Sequence, residues 1–166
     1  MSVAREFPVP RGWAVMMAAA GPVAIGGILA ARAHDVSPMI AAPAIVFGVV
    51  AATGPALYIA LAATGQAPPL AAVVRAFGVA LAAFGVALAG LILPVAFAAA
   101  SSLAPTTTTV ATSAAIAAAG GLGLRRLASE LRAGSLAGGA VFAIWAVATA
   151  VIAGRLWWDL AVEVAS

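Results

Sequence analysis

Five carboxylates and one histidine are the groups that could do acid–base or metal chemistry here: Glu6, Asp35, Glu130, Asp159, Glu163 and His34. Every one lies at or beyond the end of an apolar run. An ion-coupled transporter or proton relay instead keeps an ionisable group inside such a run. His34 and Asp35 are neighbours, but one imidazole and one carboxylate fall short of a zinc ligand set and read as a solvated turn. The chain has no cysteine, which removes thiolate metal sites, disulfides and thiol nucleophiles. It has no G-x-S-x-G, and no histidine that the topology could bring to Ser101, Ser102, Ser113, Ser129 or Ser135 within the membrane. Gly120-Gly121-Leu122-Gly123 lacks the Lys-Ser/Thr of a phosphate loop. The expectation is therefore a protein that is not an enzyme, with no metal and no cofactor.

Two uncharged features remain. Thr106 to Thr109, with Thr112 and Ser113, form a hydroxyl cluster. Threonine hydroxyls on a helix bond back to carbonyls one turn earlier, so the cluster needs no ligand. Pro55 sits in the middle of a long apolar run, where its missing N–H predicts a kink near Thr53–Gly54. A hinge or a cavity lined by Thr53 and Tyr58 is the functional alternative to a kink that neighbouring helices satisfy.

The elements carrying these residues follow from composition. Of 166 residues 65% are hydrophobic and 8% charged, against about 25% charged in a soluble domain. The apolar runs last about 20 residues, enough to cross a bilayer core about 30 Å thick. They predict an all-α integral membrane protein, a compact bundle of five transmembrane helices in one domain. The spans fall at about 12–32, 38–64, 76–100, 105–124 and 135–156. Gly65 to Pro69 breaks the chain, Arg75 marks an interface, and Pro94 bends the far end of the third span. Residues 124–133 read LRRLASELRA, with leucines at 124, 127 and 131 on one face, and predict an amphipathic segment on the membrane surface. Ala31-Arg32-Ala33 has the look of a signal-peptide cleavage site. The run before it exceeds the usual ~7–15 residues, so it is read as a retained span.

The third span contains FGVALAA followed directly by FGVALAG, residues 77–90. On a helix, Phe77, Leu81, Phe84, Leu88 and Leu91 form one ridge, and Gly78, Ala82, Gly85 and Ala89 a flat stripe beside it. A similar stripe on the fifth run includes Gly139 and Ala143. Small residues let helix backbones approach closely, so these six are the candidate packing positions. Trp145, in mid-span, is expected to pack rather than anchor.

All eight basic residues are arginines and all sit near span ends, which suits anionic lipid headgroups rather than nucleic acid. Arg11, Arg75, Arg125, Arg126 and Arg132, with Trp157 and Trp158, are the expected membrane-surface residues. With the N-terminus cytoplasmic, six arginines face inside and only Arg32 and Arg155 outside, so the C-terminus lies outside. The sequence thus points to a multi-pass protein of the plasma (bacterial inner) membrane. Its expected role is that of a structural or assembly subunit packing against other membrane proteins or copies of itself. The alternative is a channel or facilitator for a small solute, uncoupled to ions.

Overall fold

The computed structural model describes residues 11–102, 104–131 and 136–165. They form α1 (Arg11–Ala33), α2 (Ser37–Ala63), α3 (Leu70–Gly90), α4 (Ile92–Ser101), α5 (Pro105–Leu131) and α6 (Leu136–Ala165), with no strand among them. α3 and α4 are two halves of one apolar stretch, so five helical rods are long and apolar enough to cross a membrane. Arg132 and the Gly134–Ser135 turn lie outside the described residues.

Prolines explain one break and one continuity. Pro94 has no N–H for the Gly90 carbonyl and its ring crowds that group. The chain tightens at Leu91, whose N–H bonds to the Leu88 carbonyl at 3.0 Å, before α4 resumes. Pro55 produces no such break: α2 runs as one helix from Ser37 to Ala63. Two additional hydrogen bonds support the turn before it. The Thr53 hydroxyl donates to the Val49 carbonyl and the Trp145 indole N–H to the Thr53 carbonyl, both at 2.8 Å.

Two sharp turns use left-handed residues. After α2, Gly65 has φ +69°, with Gln66 N–H on the Leu61 carbonyl at 2.8 Å. After α1 the same position is taken by His34, φ +54°, with Asp35 N–H on the Ala30 carbonyl at 3.3 Å. These are Schellman-type endings. Ser37 is the first residue of α2. Asp35 takes the capping part, accepting from the Ser37 backbone N–H at 3.2 Å and from the Ser37 hydroxyl. Those bonds to Ser37 hold the Asp35 carboxyl below its ordinary pKa.

Residues 124–131 of the expected surface segment continue α5 without a break, and their leucines turn into the bundle. Leu127 is buried with Leu57, Leu61, Ala76, Ala80 and Trp145, and Leu124 and Leu131 pack against that cluster. Burying three leucines outweighs laying them on a surface, and the arginines of the opposite face stay exposed. Similarly, α3 begins at Leu70, with Val73 already buried.

A second cluster joins Ile25, Phe84, Leu88, Val95, Ala115 and Ala119. Its tightest crossing is α1 on α3. A Cβ on Gly21 would stand 2.7 Å from the Gly85 carbonyl oxygen, and one on Gly85 only 2.0 Å from that of Met17. Farther along α1, a Cβ on Gly26 would meet the Pro38 carbonyl at 2.4 Å.

Candidate functional site

The five rods stand in a ring. α1 packs against α2 and α3, α3 against α5, and α2 against α6; α5 and α6 touch far more sparsely and leave a seam. Inside is a cavity of about 560 Å³. All five rods line it: Pro22 and Ile25 from α1, Ala42 to Val50 from α2, Phe77 to Leu88 from α3, Ser113 to Leu127 from α5, and Trp145 to Trp157 from α6. Along α5 it extends 14 residues, about 21 Å at 1.5 Å per residue.

The walls are apolar, and their few polar groups are mostly occupied. Trp145 donates its indole N–H to Thr53 and stacks edge-on against Phe77, ring centres 5.8 Å apart. Trp157 donates to the Ser113 hydroxyl at 2.9 Å. The hydroxyl of Thr149 is buried without a partner. A water molecule needs two to four polar partners to settle in such a space.

The seam is lined by small residues. Ala117, Gly120 and Gly121 border it on α5, and Ala150, Ala153 and Gly154 on α6. Nothing lies within 4 Å of a Cβ built on Gly120, Gly121 or Gly154. Ala117, Gly121, Ala150 and Gly154 are exposed. Gly120 to Gly123, dismissed above as a phosphate loop, thus marks the place where α5 stays clear of α6. Gly123 meanwhile faces α3, 3.2 Å from Phe84 Cβ.

The expected packing residues divide. Gly85 is buried at the α1 crossing, and Ala82 is half-buried. Gly78 and Ala89 are exposed, with nothing within 4 Å of a Cβ on Gly78. Gly139 is half-buried and Ala143 exposed. Helical spacing puts both on the face that carries Ala146, Ala150 and Ala153. The partners of Gly85 went unread in the sequence. Ala18 and Gly21 on α1 were the signal, small residues on one flank of a run otherwise read only for its length.

Among the surface residues, Arg75, Arg125 and Trp158 are exposed, and Arg126 pairs with Glu130 at 2.8 Å. Arg11 opens α1. Trp157 departs from the expected aromatic collar. It is half-buried and packs against the Ile25–Phe84–Leu88 cluster, because the Ser113 hydroxyl gives its N–H a partner inside. Trp145 is 8% exposed and packs as expected.

The acids stay at helix ends. Asp35 is exposed in its turn, and Asp159 pairs with Arg155 at 3.2 Å. No group of three metal-binding side chains occurs among the described residues. Thr112 bonds back to the Thr108 and Thr109 carbonyls at 2.8 and 3.0 Å. Neither it nor Pro55, Thr53 or Tyr58 lines the cavity. Arg32 donates to the Ser102 carbonyl at 2.5 Å, tying the end of α1 to the end of α4. No family model, curated protein or solved structure matches the chain.

Proposed function

We propose that this is a non-catalytic multi-pass protein of the bacterial inner membrane that takes a hydrophobic molecule into its central cavity through the α5–α6 seam. The cavity carries the reading. It opens between exposed small residues of α5 and α6, and its apolar walls select hydrocarbon over water. The same walls disfavour the channel alternative, whose proposed lining at Pro55 and Thr106–Thr112 stands elsewhere.

The test is a hydrocarbon fluorophore added to the detergent-solubilised protein. Diphenylhexatriene should bind, with energy transfer from tryptophan, and Ala150→Leu with Gly154→Leu should abolish the transfer while helicity by circular dichroism is retained. Equal transfer in the filled variant would sink the reading.

A second role has its own observation. Gly78 and Ala89 are exposed on either side of the Gly85 crossing, and no helix among the described residues covers them. These two small-residue spots support an assembly role, in which α3 packs against another membrane protein or a second copy.

A further inference from the structure

We infer that the occupant is an acyl chain of an anionic membrane phospholipid, its phosphate held by Arg125 at the arginine-rich end of the seam. This rests on the cavity reading above and names the ligand class. Shape suits a chain. The cavity's 560 Å³ runs for about 21 Å along α5, a long slot that an extended hydrocarbon can follow.

Charge decides the headgroup. Arg125 lies one helical turn beyond Gly121 on the same face of α5, outside the cavity lining. It is exposed and has no ion-pair partner among the described residues, whereas Arg126 is neutralised by Glu130. Arg75, also exposed, opens α3 at the same end of the bundle. Among the described residues the opposite end offers no equal: Arg155 is paired with Asp159, and Arg32 is bound to the Ser102 carbonyl. From Arg125 back to Ser113 is 12 residues, about 18 Å, along which a chain can run past Thr149 with its far end near Trp157. Among the described residues, the slot thus has an unpaired arginine one turn beyond its small-residue border and hydrocarbon walls along its length.

The experiment uses bromine quenching of tryptophan in vesicles, in a Trp13→Phe, Trp158→Phe background. That leaves Trp145 and Trp157, both on the cavity wall. Phosphatidylglycerol brominated along its acyl chain should quench both more strongly than brominated phosphatidylcholine, with about a fivefold preference for the anionic lipid. Arg125→Gln should remove the preference and keep the quenching. Gly121→Leu, which has open space before it, should remove the quenching itself. Equal quenching by both lipids in the unsubstituted background, or by headgroup-free dibromododecane, would overturn the headgroup assignment and leave the cavity reading intact. No quenching of Trp145 by any chain, with the protein still folded, would overturn both. Quenching lost only on oligomerisation would assign the slot to a second copy instead.

Discussion

At the scale of single residues, glycines that look equivalent in the repeat have opposite jobs. Gly78 and Gly85 occupy the same place in consecutive heptads, yet one faces open space and the other a backbone. A methyl at Gly85 would lie 2.0 Å from the Met17 carbonyl, and a main-chain oxygen cannot swing aside. Gly85→Ala should therefore destabilise the bundle by about 3 kcal/mol or more, read as a lowered midpoint in denaturant-driven loss of helicity. Gly78→Leu should leave that midpoint within about 0.5 kcal/mol and change only association with another molecule, read by native mass spectrometry in mild detergent. A fold lost to Gly78→Leu would contradict the packing described here. The sequence showed the flat stripe but not its division. Heptad spacing puts both glycines on one face, and only the tilt of α1 across α3 decides which of them it meets.

At the scale of elements, the turns hold the helices in order more than any charged contact does. Glycine enters the left-handed region freely, whereas a side chain there costs about 1–2 kcal/mol. The two turns at His34 and Gly65 share one hydrogen-bond pattern and differ in this residue. His34→Gly should raise stability by about 1 kcal/mol, and Gly65→Ala should lower it by a similar amount. Opposite shifts in the same thermal unfolding assay check both; two shifts of one sign would refute the shared geometry. The break at Gly65 to Pro69 was legible because Gly, Gln and two prolines interrupt an apolar run. The left-handed His34 was not, since nothing in its residue type announces φ above zero. The continuity of α5 through Leu131 was hidden for a related reason. LRRLASEL has the same periodicity whether its leucines meet lipid headgroups or Trp145 and Leu57. Periodicity names the face and not the neighbour.

At the scale of the whole molecule, five apolar runs made the helix count readable, while the ring and its cavity were not. They depend on which rods touch, and an apolar face of alanines reads alike beside a partner or beside a void. The ring also sorts the helix ends. The starts of α3 and α6 and the end of α5 share one end of the bundle with Arg75, Arg125 and Arg126. The α1–α2 turn and the α4–α5 junction share the other, joined by Arg32 and Ser102. The excess of cytoplasmic arginine that orients membrane proteins then places Ser129 inside and Ser37 outside. A chain without cysteine makes this directly measurable. Both serines are exposed. In intact cells an impermeant maleimide should label Ser37→Cys and spare Ser129→Cys until the membrane is opened. The reverse pattern would invert the orientation and move the proposed phosphate site to the outer leaflet. The chain slot would remain, because the ring that encloses it is independent of which end faces the cytoplasm.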